Sequence, residues 1–306
     1  MYPDNIGTRY MTIKLILDEG VYPSSMQGGT GSNVKIITCN SDVNSLTAEV
    51  TITKATGFMD CSAYVTIYGL TIDDINAFSR HNVSYASQIP ANRIEIYAGY
   101  EVDDAGIPPF AYSGQIRRAG ANLNDPSRPF VIVSQVGITN QNTISPSTSF
   151  AGTVSLNTMF ESMAKQVNPP LVYQGYNING TALNPNYYGG IGEQIKQAAA
   201  DHGCTTRIDG DKLYVTKVGQ PFSDLVYDIS AQNGMLGYPA VTEFGIDVRC
   251  RYTPAINFGQ KIHVTSQLLI ANGDWYINGM MTVLQNRGAK WETVLKLNTY
   301  AFNIEA

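Results

Sequence analysis

Apolar and polar residues alternate with period two through most of the first third of the chain. In Leu46-Thr-Ala-Glu-Val-Thr-Ile-Thr53 the side chains of Leu46, Ala48, Val50 and Ile52 share one face, and Thr47, Glu49, Thr51 and Thr53 the other. That is the pattern of a half-buried strand. Ala63 to Tyr68 repeats it, with Tyr64, Thr66 and Tyr68 outward, and Arg93 to Tyr100 repeats it through Ile94, Ile96, Ala98 and Tyr100. Segments 12–17, 34–38, 110–116 and 130–136 read as further strands. Turn residues separate them: Gly28-Gly29, Thr56-Gly57 and Asp103-Asp104-Ala-Gly106. One short helix is expected after Leu70, capped by Thr71 with Asp74 three residues on, and with Ile75 and Phe78 toward the sheet.

The period then changes. Apolar residues at 156, 159, 160, 163, 164 and 167 match a helix over 155–167, stopped by Pro169-Pro170. An Asn-, Tyr- and Gly-rich loop is expected from Tyr173 to Gly190. A second helix follows over 191–202, with Gly203 as its cap. Residues 205–209 and 212–217 flank Gly210-Asp211 as a β-hairpin. The last third returns to strands, at 246–252, 261–265, 273–284 and 291–300. The chain is therefore expected to be mainly β with an α/β insertion. The expected units are 1–140, 141–225 and 226–306.

Composition sharpens the picture. Only 15% of the 306 residues are charged, against about 25% in an ordinary soluble domain. Asn (24), Thr (25), Ser (20) and Tyr (19) take their place. A net charge of −5 leaves no electrostatic footprint for nucleic acid. No 18-residue apolar run exists for a membrane span, and Met1 to Tyr10 lacks a signal-peptide pattern. The four cysteines (39, 61, 204, 250) form no CxxC pair, and the histidines (81, 202, 263) lie far apart, so no metal site or cofactor is expected. Buried thiols are the expectation, with a Cys39–Cys61 bridge as the alternative.

Candidate chemistry is sparse. HExxH, GxxxxGK[ST] and GxSxG are absent. Gly189-Gly-Ile-Gly192 lacks the Lys-Ser/Thr tail of a phosphate loop and reads as a helix lead-in. Asp73-Asp74 and Asp103-Asp104 suit a helix N-terminus and a turn better than acid–base work. Glu193 and Asp201 do not make a glycosidase pair. His263 is expected to point out of a strand, and His202 to close a helix. The sequons at Asn82 and Asn179 matter only in a secreted chain. Tyr64, Tyr68 and Tyr97 fit either ordinary strand preference or a contact surface.

The C-terminal half resembles the baseplate hub proteins of contractile-tail phages. The resemblance is carried by Gly234-Met-Leu-Gly-Tyr-Pro239 leading to Gly245-Ile-Asp-Val248, then Pro254, Gly259-Gln-Lys-Ile-His-Val264, Trp275 to Gly279 and Trp291 to Leu297. Upstream, Ile195 to Gly203 followed by Ile208 to Val215 is similar to the hub's helix-plus-hairpin module. Ile96 to Tyr100 followed by Tyr112 to Ile116 is similar to its N-terminal tube-like domain. The order holds over roughly 90–300.

That resemblance, which extends to the hub part of VgrG-type secretion spikes, implies two tube-like β-barrel domains with the α/β insertion. Three copies would form a pseudo-hexameric ring. It implies a non-enzymatic structural role in the virion tail baseplate, assembled in the host bacterial cytoplasm. The implied partners are the chain itself as a homotrimer, the six-fold tail tube protein, the three-fold central spike protein and other baseplate proteins. Low charge fits a surface that is mostly covered. The loop Gly234, Met235, Leu236, Gly237 and Tyr238, with Tyr64, Tyr68 and Tyr97, is the candidate interface. The alternatives are a carbohydrate- or receptor-binding tail protein, whose Tyr and Asn would form sugar platforms, and a cell-wall hydrolase. Leu295 is expected to face inward from the last strand. Leu295→Asp should therefore bury an unpaired charge and cost about 4 kcal/mol or more; an unchanged melting temperature would refute the placement.

Overall fold

The computed structural model describes residues 8–17, 33–40, 45–55, 61–79, 92–137, 145–168 and 170–299. The turns at Gly28-Gly29 and Thr56-Gly57, His81, the Asn82 sequon and Tyr300 lie outside them.

The N-terminal third supplies β1 (Tyr10–Ile16), β2 (Val34–Thr38), β3 (Thr47–Ala55), β4 (Cys61–Tyr68), β5 (Arg93–Gly99), β6 (Phe110–Ala121) and β7 (Phe130–Gln135). Helix α1 (Ile72–Phe78) leaves β4. Ala48, Val50 and Ile52 on β3 are buried, as the alternation requires. Thr66 departs from it: flanked across the ladder by Glu49 and Val131, it is buried rather than outward. The capping box of α1 forms, and Ile75 and Phe78 are buried. Asp74 does more than cap. It also pairs with Lys35 of β2, both side chains being buried, so one carboxylate fixes the helix and the sheet's last strand together.

The middle segment holds α2 (Leu156–Gln166) and α3 (Ile191–Asp201) with five short strands: β8 (Thr148–Ser149), β9 (Thr153–Ser155), β10 (Val172–Tyr176), β11 (Thr181–Leu183) and β12 (Asn186–Tyr187). The last three occupy the stretch expected to be loop. Two to five residues long and largely exposed, they are held by pairing with β9, β8 and the later segment Lys212–Lys217 rather than by an apolar face of their own. β13 (Cys204–Asp209) and β14 (Lys212–Lys217) form the expected hairpin. A fully buried Gln194 on α3 ties the segment together. Its Oε1 accepts from the Thr148 amide and hydroxyl, and its Nε2 donates to Pro146 and Gly189 carbonyls. Such a group is stable inside only because every arm is satisfied.

The final third adds β15 (Val226–Ser230), β16 (Ala240–Val241), β17 (Ile246–Arg251), β18 (Lys261–Thr265), β19 (Gly273–Gln285) and β20 (Trp291–Asn298). β15 and β16 carry no legible alternation; β15 forms as a parallel partner of β18. Leu295 is fully buried.

Among the described residues these N- and C-terminal strands make one thirteen-stranded sheet. The joint is β19. One side pairs with β20 along nearly its whole length. The other side pairs with β18 over its first residues and with β3 from Gly279 to Gln285. The handover coincides with a bulge between Ile277 and Gly279. Asn286, just beyond β19, locks it: its Oδ1 accepts from the Ala48 amide, and its Nδ2 donates to the carbonyls of Asn40 and Leu46. One hydrophobic cluster runs from the N-terminal strands through α2, α3, β13 and β14, and a second fills the C-terminal strands.

A buried charge network ties the hairpin to both strand sets. Lys54 of β3 donates to both oxygens of Asp209 on β13, at 3.1 and 2.9 Å, and Arg207 donates to the same carboxylate at 3.1 Å. The Arg207 guanidinium also donates to the Phe258 carbonyl and lies 5.0 to 5.4 Å from the ring centres of Tyr214, Phe222 and Phe258. Burial pushes the Asp209 carboxyl up, but Lys54 and Arg207 outweigh it and hold the group below its ordinary value. The sign follows. The contribution is complete above the unfolded carboxylate pKa of about 3.9 and is lost as pH falls through the lower folded value. Asp209→Asn should cost about 3–5 kcal/mol at neutral pH, leaving two buried cations face to face, and should flatten the acid limb of stability against pH. Thermal melts from pH 7 to 3 check both.

Candidate interaction surface

The stretch Gly234 to Tyr238 runs beside β17. Arg251 donates its amide to the Gly234 carbonyl, Leu236 donates to Arg249, and Met235 bridges Cys250. Gly234 and Gly237 both take positive φ, +85° and +78°, which a side chain would strain. The five residues divide. Met235 is buried in the C-terminal cluster, Gly234 and Leu236 are half-buried, and Gly237 and Tyr238 are exposed.

Tyr238 is 71% exposed, and its hydroxyl donates to Gln267 at 3.1 Å, joining this stretch to the loop between β18 and β19. That loop carries Leu268, Leu269 and Ile270, the last two 80% and 68% exposed. Val241 and Phe244, three and six residues beyond Tyr238, are also exposed. Gly245 permits the Phe244 turn: a Cβ there would sit 2.0 Å from the Leu297 carbonyl oxygen of β20. Residues 266–273 carry no charge, and 234–246 carry only Glu243. Six large apolar side chains are thus held outward by two loops bonded to each other. Exposed apolar side chains in such number on two joined loops suit an interaction surface.

The tyrosines fall in two places. Tyr64 is 49% exposed on the outer face of the sheet, with Thr51 and Val133 beside it across the ladder. Thr51 pairs in turn with Val283, and Met281 is exposed on the same strand. Tyr68 is half-buried on β4. Tyr97 instead faces the middle segment. It lines a cavity of about 300 Å³ with Phe110, Leu171 and Gly210. Its hydroxyl donates to Glu95 at 2.9 Å, and Lys14 sits 4.6 Å from its ring centre. Burial, then the Glu95 bond, pushes this phenol up to about 12.

The reactive residue types are placed as structural groups. All four cysteines are free and buried. Burial raises the thiols of Cys39 and Cys250 to about 12. Asp103 accepts from the amides of Ala105 and Ile107 in its turn, and Gly190 begins α3. His263 is half-buried and bonds Asp274 at 2.7 Å. His202 meets the Tyr187 hydroxyl at 3.3 Å, where burial and Asp201 hold the phenol up at about 12. Among the described residues no cluster of His, Cys, Asp or Glu is arranged to hold a metal ion. No described helix is long and apolar enough to cross a membrane. Of these exposed side chains the sequence reading singled out Tyr238 and passed over Leu268, Leu269 and Ile270; an uncharged apolar run between two alternating strands was the available signal.

Comparison with known proteins points to one kind of assembly. The family described as "Baseplate hub gp41" matches residues 33–296. No curated protein matches the sequence. Among solved structures, the 43 kDa tail protein of prophage MuSo2 from Shewanella oneidensis is similar over 94% of this chain and 98% of its own, with a TM-score of 0.58 at 10% identity. The tail protein from Neisseria meningitidis MC58 is similar over 82% and 95%, with a TM-score of 0.55 at 10% identity. The Escherichia coli c3393 protein, a type VI secretion component described as similar to T4 tail proteins gp27 and gp5, is similar over 83% and 73%, with a TM-score of 0.52 at 7% identity. At such identities the likeness is one of fold. Glu193 and Asp201 are both exposed and line none of the cavities described. Glu193→Gln and Asp201→Asn are expected to leave particle infectivity unchanged; its loss in normally assembled particles would reveal catalysis at these carboxylates.

Proposed function

The chain belongs to the baseplate hub gp41 family, and from that membership we propose that this phage tail hub acts as a homotrimeric adaptor between a six-fold tail tube and a three-fold central spike. It does so as a structural, non-enzymatic protein. The observation that carries the reading is the β19–β3 joint. One chain sets two groups of mainly antiparallel strands side by side in a continuous sheet. In this reading each group is one tube-like barrel, 1–140 and 226–306, with 141–225 inserted between them. Three chains then present six lobes.

Copies of this chain and the neighbouring tail proteins cover the apolar surface around Tyr238, Leu269 and Ile270, and the outer sheet face at Tyr64 and Tyr68. The physical reason is the hydrophobic effect: fully exposed Leu, Ile and Phe side chains each gain about 1.5–3 kcal/mol on burial. The low charge of the chain suits an obligate interface.

Sedimentation tests this. The wild-type protein, mixed with its tube and spike neighbours, is expected to run with three copies of 33.3 kDa per complex. The double variant Leu269→Ser, Ile270→Ser should melt within about 0.5 kcal/mol of wild type, since both side chains are exposed, yet fail to enter the complex. A wild-type protein that stays monomeric beside its neighbours contradicts the proposal.

A further inference from the structure

Beneath the Gly234 stretch lies a second cavity, of about 560 Å³, whose walls include Arg9, Tyr100, Arg251, Tyr252, Trp291 and Glu292. Its charges are unbalanced in a particular way. Arg251 faces Glu292 directly across the β17–β20 ladder. The Glu292 carboxylate nonetheless bonds Arg249, through two contacts of 3.0 and 2.8 Å to one guanidinium nitrogen. Among the described residues the Arg251 side chain has no hydrogen bond or ion pair. Arg9 spends its donors on the carbonyls of Gln285, Gly288 and Ala289 in the β19–β20 turn, and its guanidinium lies 5.6 Å from the Trp291 ring centre. It too meets no carboxylate.

The indole N–H of Trp291 is buried without an acceptor, and so is the Arg9 Nε–H. Leaving a buried donor unmade costs about 1–3 kcal/mol. Tyr100 and Tyr252 pack edge-on to Trp291 at 6.4 and 6.1 Å. The Tyr100 phenol is raised by burial and pulled back by both Arg9 and Arg251, so the two cations act on the same small volume.

We propose that this cavity binds a carboxylate presented by an acidic peptide segment of a partner protein, with Arg251 as its principal counter-ion and the aromatic wall packing the side-chain stem. The occupant follows from charge and shape. Two guanidiniums stand on this wall against one carboxylate, Glu292, which Arg249 already engages; that leaves room for a single further carboxylate, and guanidinium is the group best suited to hold one. A nucleic acid would bring further phosphates to a chain of net charge −5. The cavity borders the Tyr238 stretch through Gly234 and Leu236, but the groups that would hold the carboxylate, Arg251, Arg9 and Trp291, lie outside the apolar loops.

The chain has only two tryptophans. Trp275 already donates its indole N–H to Ala271, so the Trp291 indole resonance is a specific probe, assigned by its persistence in Trp275→Phe. Titration of the isolated full-length protein with a tetraglutamate peptide is expected to shift that resonance saturably. Tetralysine at equal ionic strength should not. Arg251→Gln should weaken the response about tenfold or more, the loss of one charge-assisted contact, with an unchanged melting temperature, and Arg251→Lys should restore part of it. No saturable shift, or an undiminished one in Arg251→Gln, overturns the assignment. Tighter binding of inorganic phosphate than of the peptide overturns the carboxylate. None of these outcomes depends on ring formation, which sedimentation reads separately.

Discussion

Every larger feature of this protein depends on how strand β19 is shared. Thirteen residues long, it offers one side to β20 and divides the other between β18 and β3. A strand has only two hydrogen-bonding sides, so a residue range can serve two partners on one side only by passing from one to the next along its length. The bulge at Ile277/Gly279 marks that passage, and bulges bend a strand and increase its twist. Without it the C-terminal strands would form a separate sheet with an exposed edge, which is a liability in any soluble assembly. With it, residues far apart in sequence become one surface.

The joint is reinforced by polar groups that suit no other arrangement. Asn286 spends its side chain on backbone groups of a segment some 240 residues earlier. Lys54, Asp209 and Arg207 link the N-terminal sheet, the hairpin and, through Phe258 and Phe222, the C-terminal core. Buried ion pairs add little net stability over apolar packing, but breaking one is costly. Their effect here is on geometry: the three parts of the chain are held in a defined relation.

Much of this was legible in the residues. Period-two runs placed β3, β4 and β5, and the 3.6-residue pattern placed α2 and α3, because each buries one face and leaves the other wet. Thr71 and Asp74 gave the capping box. The short strands β10, β11 and β12 were not legible, since two to five residues without an apolar face carry no period. β15 was missed for the same reason, its pairing being parallel and non-local. Nor could the sequence show that Asp74 would meet Lys35, or Lys54 meet Asp209; alternation says which way a side chain points, not what lies opposite. Among the exposed apolar side chains Tyr238 stood in the glycine-flanked loop that the sequence singles out, whereas Leu269 and Ile270 passed as ordinary hydrophobic residues.

The central claim is that one chain supplies two lobes of a six-lobed ring. An averaged end-on electron-microscope projection of the assembled baseplate tests it most directly. The account predicts a ring at the base of the tube with true three-fold symmetry and six quasi-equivalent lobes. A ring of six identical subunits, or density for this protein only at the periphery of the baseplate, would contradict it.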